Sequence, residues 1–270
     1  MLSVTSTLRE TFWLWAQKFW VVLAISLVTG IPKVLLDGSS ALIKSLKLLD
    51  GSHPTGLALA AFGALLLSPL CSVLNSAAIL GLLAKSEQIT AWFAIRNSIE
   101  ANTWTLYRLF WLLALIVVLL FLPFVWLVRL FGSAKIITLF VVGLYLIFIK
   151  YALADPLVVA ENMGAVAALK RSWKMTKDHF WYVAGCYLFL GLSNWLIGWM
   201  LKWMVTSPFN VGGYRMLAAD QLVALCLHLI QPMWIISAWC MYREIKALDY
   251  ETPVDQGQSD AFCPNQNPSS

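Results

Sequence analysis

Few residues of this 270-residue chain have the types and spacing that chemistry requires. His228 and Gln231 lie three apart beside Pro232, on one helical face of an apolar stretch, and Asn75 and Asn194 sit inside two other apolar stretches. Bringing polar groups into hydrocarbon is costly, roughly 2.5 to 3.5 kcal/mol for a central charge on insertion scales, so these four are candidate functional groups. A histidine with an amide partner can relay protons or contact a ligand; the commoner role of such groups is hydrogen bonding between helices. Asp155 and Glu161, bracketing a turn-like Asp-Pro step, are the only carboxylates placed for paired acid/base work. A charge set ahead of a helix starting near Gly164 accounts for Glu161 without chemistry. The chain has no HExxH, GxSxG, phosphate-loop or Ser/His/Asp pattern, and its cysteines show no CxxC or Cys/His ligand spacing. Cys71, Cys186, Cys226 and Cys240 read as small packing residues in apolar runs, and Cys263 stands alone in a polar tail. No catalytic residue, cofactor or metal site is therefore expected.

The segment Ala154 to Tyr182 offers a different chemistry, that of a charged surface. Lys170, Arg171, Lys174 and Lys177 fill one helical face, while Val166, Leu169, Trp173 and Phe180 recur on another. Between two apolar runs, this pattern predicts an interfacial helix whose cations sit among anionic lipid headgroups and whose apolar face enters the bilayer.

The elements that carry these residues must be membrane helices. The composition is 60% hydrophobic and 12% charged, with a mean hydropathy of +0.75, outside the range of soluble globular chains. Six stretches are long and apolar enough to cross a bilayer: Phe19 to Leu36, Gly56 to Ala84, Leu109 to Val128, Ile136 to Ala154, Tyr182 to Leu201 and Leu222 to Tyr242. Strand-length alternation is absent, which argues against a β-barrel. With six spans, both termini share one side, and that side carries twelve of the 19 Lys and Arg residues. The positive-inside rule places it in the cytoplasm. The net charge of +5 is then a topology signal, and no nucleic-acid partner is expected. Trp13, Trp15 and Trp20 and the Pro32-Lys33 step speak against a cleaved signal peptide.

A repeat organises the spans. Leu8 to Trp20 aligns without gaps on Leu169 to Trp181, and Ala94 to Trp111 fits the same start and Phe-Trp end with four extra residues, about one helical turn. The expected architecture is an all-α integral membrane protein over residues 1–248, with amphipathic interfacial helices before spans one, three and five and hairpin units near 4–84, 91–154 and 164–248. Gly38 to Thr55 reads as an outer loop with a short amphipathic turn, whereas Phe131 to Ala134 is a minimal link. Residues 249–270 are too polar to bury a core and read as a disordered cytoplasmic tail. In span two, Ala60, Ala64, Ser68, Ser72 and Ser76 repeat every fourth residue, a stripe that lets helices approach closely, so this span is expected inside the bundle.

The run Asp155-Pro156, Glu161, Gly164, Ala168-Leu169-Lys170-Arg171-Ser172-Trp173 and Phe180-Trp181 resembles a motif of YciC-like bacterial inner-membrane proteins, related to the membrane-anchor domain of glycerophosphodiester phosphodiesterases. The resemblance implies the six-span plan and the inner membrane, and it brings no reaction, since those phosphodiesterases carry catalysis in a separate soluble domain. The leading expectation is a non-enzymatic membrane protein that contacts anionic lipid and an envelope protein partner. The alternatives are a small permease for a neutral or lipidic substrate, its path lined by Asn75, Asn194, His228 and Gln231, and a lipid-headgroup enzyme using Asp155 and Glu161.

Overall fold

The computed structural model describes residues 2–45, 54–85, 90–131, 134–206, 223 and 226–251, with side chains described at 2–32, 67–84, 90–121, 123–124, 142–204, 223 and 226–248. Among these residues the secondary structure is helical, with no strand. In chain order the helices are α1 (Val4–Gln17), α2 (Phe19–Ser45), α3 (Pro54–Lys85), α4 (Ala91–Phe131), α5 (Ala134–Tyr151), α6 (Ala154–Glu161), α7 (Ala165–Asp178), α8 (Phe180–Thr206) and α9 (Pro232–Glu251). A short helical stretch, 226–230, leads into α9 across a turn at Gln231.

Among the described residues, four segments are long and apolar enough to cross a membrane: Leu67–Ala84, Ala91–Phe121, Val142–Glu161 and Phe180–Met204. The pair α1 and α2, bent by 80° at Lys18, brings the number to five if it counts as one span. The described residues thus form a helical protein with several helices long and apolar enough to span a membrane, four or five of them where the sequence reading expected six. Part of the last expected span, Leu222 to Tyr242, lies outside the described residues, and the part described is broken at Gln231.

A second departure concerns the middle interfacial helix. No separate element precedes span three, because α4 runs unbroken for 41 residues, about 60 Å at 1.5 Å per residue. Neither glycine nor proline occurs between Ala91 and Pro123, so nothing local interrupts the backbone hydrogen bonding. The outer loop also starts later than expected, since α2 continues to Ser45. The remainder of that loop, through 46–53, and the tail beyond Glu251 lie outside the described residues.

The helices that lead each unit dock in one way. Ser98 in α4 and Ser172 in α7, aligned in the repeat, are both fully buried. Each donates a hydrogen bond to a carbonyl of the long helix before it, Ser98 to Ala77 at 2.8 Å and Ser172 to Lys150 at 2.9 Å. One turn earlier, Ala94 and Ala168 are buried too. These small residues let two backbones approach, and a Cβ on Gly81 would overlap Ser98, so α3 and α4 touch there only because residue 81 lacks a side chain. In α1 the corresponding Thr7 and Thr11 are buried, and this helix packs on α9, the last of the chain. The leading helices therefore contact α9, α3 and α5 in turn, which closes the bundle on itself.

Burial is concentrated at the end of the bundle where these helices gather. Leu153, Ala154, Leu157 and Val158 of the α5–α6 region are wholly enclosed, together with Leu80, Leu109, Met241 and Ile245. Within the candidate spans, 44% of Leu67–Ala84 is buried against 11% of Ala91–Phe121, which puts the C-terminal half of α3 inside as expected. Val73, Asn75 and every residue from Ala77 to Leu82 are buried, so the helix is enclosed all round there, whereas the stripe residues Ser68, Ser72 and Ser76 are half-buried.

Candidate functional site

The motif Asp155 to Trp181 is built around Glu161. The turn-like Asp-Pro step is in fact the first turn of α6, where proline needs no backbone donor. Asn162 then turns the chain with a left-handed φ of 50°, a conformation asparagine tolerates, and Gly164 is the extended residue ahead of α7. Glu161 ends α6 and does not serve as a helix-entry charge. Its carboxylate accepts hydrogen bonds from Tyr242 (2.9 Å) and Lys246 (3.0 Å) of α9 and pairs with Arg171 of α7 (3.3 Å). It thereby joins three helices. The Tyr242 hydroxyl, 2.8 Å from the Lys246 ammonium, and Glu161 behind it hold that lysine above its ordinary pKa range, against a smaller opposing effect of burial. Asp155 lines a cavity, described below, that Glu161 does not border among the described residues.

The face that α7 buries is Ala165, Ala168, Leu169, Ser172, Met175 and Thr176. Of the apolar stripe Val166, Leu169, Trp173 and Phe180, Leu169 alone belongs to the protein core and docks on neighbouring helices. Val166 (56% exposed) and Trp173 (47%) remain open, with Phe180 half-buried. Lys170, Arg171, Lys174 and Lys177 are all exposed, as expected. Lys170, Arg171 and Lys174 line one groove with Asp178 and His179 at its far end; Lys177 is not among its lining residues. Lys170 also borders a second, apolar groove formed by Tyr151, Val166, Leu169 and Trp173. The Lys150 ammonium sits 5.3 Å from the Trp173 ring and 5.1 Å from the Phe180 ring, a cation–π arrangement that fixes this wall. Geometry of this kind offers cations to a phosphate and a greasy channel to an adjoining chain.

The four intramembrane polar groups are not gathered into one path. Gln231 lines a cavity, described below, to which the described parts of Asn75, Asn194 and His228 do not contribute. His228 is buried against α2, where a Cβ on Gly30 would overlap its imidazole. Asn75 is buried with neither amide atom partnered among the described residues, and Asn194 is half-buried on α8. A third polar cluster went unnoticed in the sequence. Thr7 of α1 lies 2.6 Å from Tyr182 of α8 and 3.0 Å from both carboxylate oxygens of Glu244 in α9, and Tyr182 donates to Glu244 at 2.6 Å. Contacts spanning 175 and 237 positions leave no local signal. Among the described residues no group of His, Cys, Asp and Glu is arranged to hold a metal ion, and the described cysteines are unbridged. Comparison with protein-family models, with curated proteins and with solved structures finds no match for this chain.

Proposed function

We propose that this chain is a non-enzymatic, multi-pass protein of the bacterial inner membrane, similar to the YciC-like proteins, with both termini cytoplasmic, and that it engages anionic lipid through α7. The observation that carries the reading is the pair of adjoining grooves meeting at Lys170, one cationic and one apolar. A phosphate lodged by Lys170, Arg171 and Lys174 would place its acyl chain along Tyr151, Val166 and Trp173. Each cation near an anionic surface contributes on the order of 1 kcal/mol, and less as salt rises. Arg171 contributes least of the three, because Glu161 already neutralises part of its charge. An envelope protein that shares the lipid surface is the partner proposed for it.

Native mass spectrometry of the full chain, released from detergent with equal amounts of phosphatidylglycerol and phosphatidylcholine, tests the proposal. The parent protein is expected to retain phosphatidylglycerol in preference. Changing Lys170, Lys174 and Lys177 together to Gln should remove the preference while leaving the fold intact. Equal retention of both lipids by the parent would overturn it.

A further inference from the structure

Two prolines disturb the bundle at neighbouring places. Pro156, in the first turn of α6, cannot donate to the Ala152 carbonyl four residues before it, and Tyr187 of α8 donates to that carbonyl instead (3.4 Å). Pro232 follows the turn at Gln231, whose own N–H is shared between the carbonyls of Leu227 and His228 (3.2 and 3.3 Å). Between these two breaks lies a cavity of about 420 Å³ lined by Ser76 of α3, Asp155 and Pro156 of α6, Tyr187 of α8, and Gln231 and Trp234. Irregular backbone at membrane depth is tolerated where it borders such a space.

Asp155 sets the chemistry of this cavity. Glu10, Glu100, Glu161 and Glu244 each have a cation or a hydroxyl within bonding distance. Asp155, like the exposed Asp178, has neither ion pair nor side-chain hydrogen bond among the described residues, although it lines this partly open cavity in a chain of net charge +5. Its place in the first turn of α6 favours the negative charge without occupying the carboxylate oxygens. The Tyr187 and Trp234 rings pack with centroids 5.4 Å apart, and both border the same cavity. A carboxylate beside two aromatic rings is the arrangement that recognises an organic ammonium ion, through charge and through the ring faces. A hard metal cation is the poorer occupant, since it demands six or more oxygen ligands and the cavity offers one carboxylate, one amide and one or two hydroxyls. The volume is within the range of small-molecule sites.

We infer that this cavity binds a small organic ammonium group, choline- or ethanolamine-like, with Asp155 as counter-ion, Tyr187 and Trp234 as the aromatic wall, and Gln231 and Ser76 hydrogen-bonding its polar end. The group can arrive as a free amine or as the headgroup of a zwitterionic lipid.

The test uses the full chain in nanodiscs made only of phosphatidylglycerol, which carries no ammonium. Choline should raise the melting temperature, and its uncharged isostere, in which carbon replaces the quaternary nitrogen, should not. Asp155→Asn should weaken choline binding roughly tenfold or more, and Asp155→Glu should restore part of it. If the choline effect disappears in discs containing phosphatidylcholine, the lipid headgroup is the occupant; if it persists there, a free ammonium is. Either result supports the site. A parent protein that responds equally to choline and to the isostere, or to neither choline nor ethanolamine, would overturn it without recourse to any variant, and so would unchanged choline affinity in a folded Asp155→Asn protein.

Discussion

Helices α1 and α7 have the same length, 14 residues, and each is followed after a single non-helical residue by a long helix, α2 in one case and α8 in the other. The junctions, Lys18 and His179, have φ of −100° and −118°, and they occupy one position of the gapless alignment. In both, the residue four further on donates back to the junction carbonyl, Val22 to Lys18 and Val183 to His179. The buried sites correspond too, Thr7 with Ala168 and Thr11 with Ser172. What differs is the outside. Where α7 presents Arg171, Lys174 and Lys177, α1 has Glu10, Trp13 and Ala16. Even the ion pairs are reversed in sense, with Glu10 of α1 reaching Arg243 of α9 (3.2 Å) and Arg171 of α7 reaching Glu161 of α6 (3.3 Å). The small buried residues fix how a leading helix docks, which leaves the exposed ones free to carry function.

Three changes would break or sharpen this comparison. The largest effect is expected at the shared docking position. Ser172→Leu forces a branched side chain against the Lys150 carbonyl and removes its hydrogen bond, and it should cost roughly 3 kcal/mol; Thr11→Leu, likewise buried, should cost a comparable amount. Thermal denaturation in detergent reads both, and a parent-like melting point for either would show that the two helices are not held alike.

Smaller, and specific to the third unit, is Glu161→Gln. The neutral amide leaves Arg171 and Lys246 without their anion, and a loss of about 1 to 2 kcal/mol is expected. A double-mutant cycle with Arg171→Gln should show coupling between the two, while a cycle of Glu161→Gln with Arg243→Gln should be additive, because Arg243 belongs to the α1 pair.

The smallest effect on stability is expected on the exposed face of α1. Trp13→Lys with Ala16→Lys copies the charge of α7 at positions that bury nothing, so stability should stay within about 0.5 kcal/mol of the parent. Retention of phosphatidylglycerol in native mass spectra should increase. No increase would mean that the apolar groove beside α7, and not charge alone, is what captures the lipid.

The amino-acid sequence by itself determined the class of this protein and the location of its charge. Long apolar runs need helices in a bilayer because every backbone polar group must be satisfied within the segment. The alignment of Leu8 to Trp20 on Leu169 to Trp181 likewise foreshadowed matching helix ends at both places, and Lys170, Arg171, Lys174 and Lys177 were legible as an exposed face. Only the tertiary structure decided which apolar face is turned inward. Lipid chains and a protein core are equally apolar, so hydrophobic spacing cannot tell Leu169, which docks on neighbouring helices, from Trp173, which stays open. The same holds for the helix breaks. No glycine or proline stands at Lys18 or His179, yet the chain leaves the helix there and continues through α4, because docking of α1 on α9 and of α7 on α5, rather than local preference, sets the direction of each segment. The cavity at Asp155 was beyond sequence for a related reason, since it is made by helices distant along the chain and by two prolines whose effects meet only when α6, α8 and α9 are packed together.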